Sequence, residues 1–158
     1  MPTISQNLWF QKDMEAAVRF YVSLIPGSAV TWASAVAADN PSGPAGSVRL
    51  MSFTLGDQRY QAIEGGPLDA FNHSFSIVAE CEDQAEVDRL WDGLSDGGKV
   101  EQCGWLKDRW GLSWQIVPKR LGELMGGADP ARARRVAEAM LKMVKFDIAG
   151  LEAAAEGR

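Results

Sequence analysis

His73 is the chain's single histidine, and it lies two residues from both Phe71 and Phe75 in an apolar-rich run that ends at Cys81. Read as a strand, Phe71 to Cys81 puts His73 on the same face as the two phenylalanines. An imidazole there can ligate a metal or move a proton near neutral pH, or it can sit hydrogen-bonded inside an apolar wall. Gln61 and Gln115 hold matching places in Tyr60-Gln61-Ala62-Ile63 and Trp114-Gln115-Ile116-Val117. Their neutral amides both donate and accept hydrogen bonds, to a ligand or to backbone groups at a sheet edge. Glu64, beside Gly65-Gly66, reads as a solvated strand end. Cys103 is followed by Gly104 and Trp105, with Lys107 and Arg109 close by. Nearby cations favour a thiolate, whereas a small buried hydrophobe is the commoner use of cysteine. Gln61, His73, Gln115, Cys103 and Trp105 are therefore the candidate pocket residues, and none is assigned a catalytic role.

Other chemistries are excluded by pattern. Gly93-Leu94-Ser95-Asp96-Gly97 has the GxSxG spacing of a hydrolase elbow, but it follows a helical pattern rather than a strand. There is no GxGxxG, phosphate-binding P-loop, HExxH or EF-hand sequence. A net charge of −5 and the absence of a long basic stretch argue against nucleic acid as a partner. Arg132, Arg134 and Arg135 read as the solvated face of a helix. No apolar run approaches the roughly 20 residues that span a bilayer. Met1 to Asn7 lacks the basic and apolar regions of a signal peptide. Two cysteines, Cys81 and Cys103, form neither a CxxC motif nor a disulfide framework, so a reducing cytoplasmic location is expected.

The elements that must position these residues recur in one order. Ile4 to Phe10 reads as a strand. Met14, Ala17, Val18 and Tyr21 form a helical stripe after Asp13 as N-cap, and Pro26-Gly27 stops it. Ala29 to Ala37, Val48 to Leu55 and Arg59 to Ile63 follow as strands, the last two joined by Gly56-Asp57-Gln58. The second half repeats this: Phe71 to Cys81, a helix from Asp83 to Leu94, then strands around Val100 to Leu106 and Leu112 to Val117, with a turn at Asp108 to Gly111. This is an α+β chain of paired βαβββ modules, residues 1–66 and 67–118, with a helical tail over 119–158. In the tail, Asp129-Pro130 opens one helix with a stripe of Val136, Met140, Leu141 and Val144, and Asp147 caps another over Ile148 to Ala155. Two such modules side by side enclose a cup, which is where a small-molecule ligand is expected.

The run Asn7-Leu8-Trp9-Phe10, the segment Glu15 to Leu24 and above all Gln102-Cys103-Gly104-Trp105-Leu106-Lys107-Asp108-Arg109-Trp110-Gly111-Leu112-Ser113-Trp114-Gln115 resemble the PhnB-like, 3-demethylubiquinone-9 3-methyltransferase-like family. The resemblance implies the glyoxalase/bleomycin-resistance/dioxygenase (vicinal oxygen chelate) fold, a small-molecule cup and a homodimer, for which Val136, Met140 and Val144 offer one apolar surface. It also implies four cup positions where metal-using relatives carry histidine or glutamate, here falling at Ser5 or Gln6, Gln61, His73 and Gln115. Neutral amides with one histidine make a poor divalent-metal site, so no cofactor is expected and a divalent metal is disfavoured. The expected function is a small-molecule-binding protein or metal-free enzyme. The alternatives are a metal-dependent lyase or dioxygenase, the methyltransferase of the family label, and a noncatalytic dimeric scaffold.

Overall fold

The computed structural model describes residues 1–158. They form two compact units, Met1–Asp69 and Ala70–Arg158. The first unit runs β1 (Gln6–Phe10), α1 (Met14–Leu24), β2 (Ala29–Ala35), β3 (Arg49–Leu55) and β4 (Gln58–Glu64). Its sheet has the order β1-β4-β3-β2, with β1 parallel to β4 and the other neighbours antiparallel. The stripe Met14, Ala17, Val18 and Tyr21 is fully buried on α1, and Leu8, Phe10, Met51, Phe53, Tyr60 and Ala62 are buried on the sheet. Burying each large apolar side chain contributes about 1.5–3 kcal/mol, so this layer holds the module.

The α1 N-terminus differs from the sequence expectation. Asp13 does stand at the N-cap, but with φ 62° it makes no side-chain capping bond. A capping side chain needs extended backbone to reach the free N–H groups, and left-handed Asp13 turns away from them. The Met14 N–H instead donates to Glu64 Oε2 at 2.9 Å. Glu64 is half-buried at the end of β4, opposite Phe10, so it is a helix-capping residue rather than a solvated strand end.

The second unit runs β5 (Ser76–Cys81), α2 (Gln84–Ser95), β6 (Lys99–Val100), β7 (Trp105–Lys107), β8 (Ser113–Pro118), α3 (Lys119–Met125), α4 (Pro130–Met140) and α5 (Ile148–Ala155). Its sheet order, β5-β8-β7-β6, repeats that of the first. Val87, Leu90, Trp91 and Leu94 bury one face of α2. Here the N-cap is local, with Asp83 accepting from the Glu86 N–H at 2.9 Å. Ser95 of the GxSxG spacing ends this helix, as expected.

Two strand expectations are corrected. Residues 71–75 are not in β5: Asn72 Oδ1 accepts from the Ser74 N–H at 2.8 Å, folding a turn that contains His73. Asparagine's ability to bond its own backbone outweighs the apolar alternation there. His73 consequently lies on an exposed turn, not inside an apolar wall. The run Val100 to Leu106 is also broken, because Cys103 and Gly104 take φ 55° and 80°. A Cβ at Gly104 would lie 2.5 Å from the Phe146 ring and 2.7 Å from the Ile116 carbonyl oxygen, so only glycine fits. The turn at Asp108 forms as expected. Buried Asp108 accepts from the N–H groups of Trp110 and Leu112 and from the indole N–H of fully buried Trp114, at 2.9, 3.1 and 3.0 Å.

The tail has its own core of Leu121, Leu124, Val136, Phe146 and Leu151, with Cys103, Val117, Met140 and Met143 packed against it. Since α4 ends at Met140, Val144 is not on that helix, and Val136 is wholly buried. Val136 and Met140 thus pack into the tail core, while Val144 stays 38% exposed, so the three do not form one continuous free surface. The arginine run is likewise not simply a solvated face. Arg135 donates to the carbonyls of Ala154 and Ala155 at the C-terminal end of α5, where a cation is favoured, and Arg132 reaches the Glu123 carbonyl.

Candidate functional site

In each sheet the helix takes one face, and strand alternation directs every second side chain to the other. In the first unit that open face carries two adjacent cross-strand pairs, Ser52 with Gln61 and Thr54 with Arg59. Asn7 lies opposite Gln61 on β1. A cleft of about 450 Å³ is lined here by Ser5, Thr31, Ser52, Thr54, Arg59 and Gln61, among others. Thr54 Oγ1 accepts from the Ala29 N–H at 3.1 Å. Of the two β1-side candidates, Ser5 lines the cleft; Gln6 alternates with Leu8 and Phe10 toward the helix, its Oε1 buried without a partner. Farther along β1, the Trp9 indole N–H donates to the Gly66 carbonyl at 3.0 Å. A Cβ at Gly65 would meet that ring at 2.4 Å, so the paired glycines make room for it.

On the second unit's open face, Trp105 on β7 is the cross-strand partner of Gln115, and Val78 on β5 flanks Gln115 on the other side. The Gln115 Nε2 donates to Ser76 Oγ at 3.0 Å, which fixes the amide. The His73 and Trp105 rings lie 6.0 Å apart between centroids, tilted by 55°. His73 Nε2 meets both carboxylate oxygens of Glu101, at 2.9 and 3.0 Å. The His73 side chain is 55% exposed, against 21% for Glu101, so the ring is accessible and its anionic partner is partly sheltered.

The fold thus brings His73, Trp105 and Gln115 together, while Gln61 belongs to the first unit's cleft. Cys103 faces elsewhere: its Sγ donates to the Met140 carbonyl at 3.6 Å and its N–H to the Met143 carbonyl, joining the tail core. Cys81 is fully buried, which pushes its thiol up to about 12, and both cysteines are free. Glu101 is the site residue that sequence reasoning missed. Its signal was the polar pair Glu101-Gln102 interrupting an apolar run, a turn marker that placed an acid where the strand broke.

Neither open face offers a donor set that suits a divalent metal. The first has the Ser5 hydroxyl and the Gln61 amide; the second has the His73 imidazole and the Gln115 amide, which is engaged by Ser76. Glu101 does bring a carboxylate to His73, contrary to the expectation of purely neutral neighbours. Two such donors still fall short of the three protein ligands usual at catalytic zinc, and no group of three or more His, Cys, Asp or Glu side chains is gathered to hold an ion.

Residues 2–117 match the family described as 3-demethylubiquinone-9 3-methyltransferase. No curated protein matches the chain. Among solved structures, the PhnB protein from Bacillus cereus is 28% identical with a TM-score of 0.66. The alignment covers 74% of this chain and 99% of that one. Protein PA1353 from Pseudomonas aeruginosa is 21% identical with a TM-score of 0.58, over 75% of this chain and 98% of its own. The fosfomycin resistance protein FosX from Listeria monocytogenes, complexed with Mn(II) and sulfate, shares the fold at 15% identity and a TM-score of 0.52, over 73% and 89%. With two βαβββ sheets of identical order and a match running from β1 through β8, the chain belongs to the 3-demethylubiquinone-9 3-methyltransferase (PhnB-like) family, within the glyoxalase/bleomycin-resistance fold.

Proposed function

We propose that the protein binds a small molecule on these open faces without a metal, with His73 as its proton-handling contact. The observation that carries this reading is the His73–Glu101 pair beside Trp105 and Gln115. When Nε2 carries the hydrogen it donates to Glu101, leaving Nδ1 as an acceptor with no partner in the protein. That nitrogen can take a hydrogen bond or a proton from a ligand, while the Trp105 ring offers it an apolar surface. Gln115, fixed by Ser76, gives a second oriented polar contact. Whether proton transfer completes a reaction depends on the ligand. Two free cysteines suit a reducing, cytoplasmic location. No helix is long and apolar enough to cross a membrane. A homodimer is supported by β2, an edge strand exposed along nearly all its length and carrying Trp32, because such edges are usually covered.

The metal-dependent reading has one observation in its favour, the nitrogen and carboxylate already paired at His73 and Glu101. The methyltransferase reading fits less well. The usual S-adenosylmethionine fold has a Gly-rich turn after its first strand, whereas β1 here leads to α1 through Gln11-Lys12-Asp13, and the Glu64 carboxylate occupies the helix N-terminus.

Native mass spectrometry and elemental analysis of freshly purified, untagged protein test these readings together. The expected result is a dimer that retains a small molecule and no stoichiometric metal, with the small molecule lost in His73→Ala while the fold persists. One zinc, nickel or manganese per chain that disappears in His73→Ala would overturn the metal-free reading, and a monomer alone would overturn the dimer.

A further inference from the structure

Arg59 is the one arginine whose guanidinium meets no acceptor. Every other arginine is paired with a carboxylate or a backbone carbonyl. Arg59 instead lines the first unit's cleft, and no Asp or Glu lines that cleft with it. This is unusual in a chain of net charge −5. Two other clefts, of about 410 and 550 Å³, carry acids beside their cations: Glu82, Asp83, Asp147 and Glu152 with Arg120 in one, and Asp13, Glu15 and Glu64 with Lys12, Arg19 and Arg49 in the other.

The neighbours of Arg59 are all neutral donors. Register places Thr54 directly across from it and Ser52 across from Gln61, so the four form a compact square on one face. Thr54 Oγ1 already accepts a bond from Ala29, which leaves its hydroxyl hydrogen to be donated. The Ser52 hydroxyl and the Gln61 amide make no hydrogen bond within the protein. Beyond Ser52, its β2 partner Trp32 is 51% exposed on the same face.

We propose that this cleft is an oxyanion-binding subsite, in which the Arg59 fork takes two oxygens of a carboxylate or phosphate group. Ser52, Thr54 and the Gln61 amide nitrogen donate to the same group, and Trp32 supports the apolar body of the ligand. A guanidinium presents its N–H groups in the fixed geometry such planar or tetrahedral anions match. The missing carboxylates matter equally, because an acid in the cleft would occupy Arg59 and repel the ligand. The inference rests on the reading that the open faces bind small molecules, and it names the charge and class of what the first face accepts.

Amide chemical-shift titration of the full-length protein tests it, using inorganic phosphate, benzoate and the neutral benzamide as separate probes. Phosphate or benzoate should shift the amides of Thr31, Ser52, Thr54 and Gln61, and the stronger of the two identifies the preferred anion. Arg59→Gln should weaken that binding about tenfold or more, Arg59→Lys less, and His73→Ala should leave it unchanged. Arg59 is exposed and unpaired, so a well-dispersed spectrum of Arg59→Gln is expected to accompany the loss. Equal affinity for benzamide and benzoate, or unchanged affinity in Arg59→Gln, would overturn the oxyanion subsite and leave small-molecule binding standing. Silence toward both anions up to about 10 mM would also overturn it, since even a millimolar site would be seen. A ligand retained in the mass spectrum would then still support the broader reading.

Discussion

The two modules share strand order, strand directions and helix placement, yet their open faces and their anchors are built from different chemistry. The first face gathers hydroxyls, a free amide and an unpaired guanidinium; the second gathers a histidine–carboxylate pair, a tryptophan and an amide tied down by Ser76. The helix anchors differ as well. The cap on α1 comes from Glu64 across the sheet, while α2 is capped by Asp83 next to it in sequence. The β3–β4 hairpin turns tightly at Gly56-Asp57, whereas the β7–β8 connection is organised around buried Asp108. Repetition of backbone topology therefore constrains which face is open and leaves the side chains on it free to diverge. The longest stretch of family-like sequence, around Asp108 and Trp114, serves mainly to hold the second module together.

The largest expected effect tests that last point. Asp108→Ala orphans the buried Trp114 indole and two backbone N–H groups, and should cost about 3 kcal/mol or more in urea unfolding. Asp57→Ala, at the corresponding exposed hairpin, should stay within about 0.5 kcal/mol. Equal losses would break the contrast between the two connections.

A smaller effect separates the helix anchors. Glu64→Ala and Asp83→Ala should each lower stability by about 1 kcal/mol, through the lost capping bond and lost charge at a helix N-terminus. Asp13→Gly, which removes the side chain and suits the left-handed backbone there, should be nearly silent, although Asp13 holds the sequence position of a cap. An Asp13→Gly loss matching that of Glu64→Ala would reassign the anchor.

The smallest effect depends on pH and belongs to the first module. Hydrogen bonds from Arg49 and then Arg19 hold the Glu15 carboxyl below its ordinary value of 4.5. A depressed carboxyl stabilises the fold above its unfolded pKa, and that contribution disappears as pH falls through the lower folded value. Glu15→Gln should therefore be slightly less stable than the parent at neutral pH, with the gap closing in acid. Urea midpoints at about pH 7 and about pH 3 read the difference, and a gap that persists in acid would assign it to packing. Solvent screening at this exposed site keeps the effect small.

Element order was legible in the sequence because its signals are local. Apolar spacing marked Met14, Ala17, Val18 and Tyr21 as one helix face, and Pro26-Gly27 and Gly97-Gly98 marked the stops. The family resemblance was legible for the same reason, being carried by contiguous residues that build the Asp108 turn. His73 was misplaced where two local signals competed, and the Asn72 turn prevailed over strand alternation.

What only the tertiary structure decided were the partners. Glu101 reaches His73 across 28 residues, and Glu64 reaches Met14 across 50. Alternation along a strand assigns a side chain to a face, but its neighbour on that face depends on strand pairing and register, which the whole sheet sets at once. Arg59 illustrates the difference. Its place two residues before Gln61 was plain in the sequence, but its freedom from every carboxylate followed from where β3, β4 and all the acids of the chain came to rest.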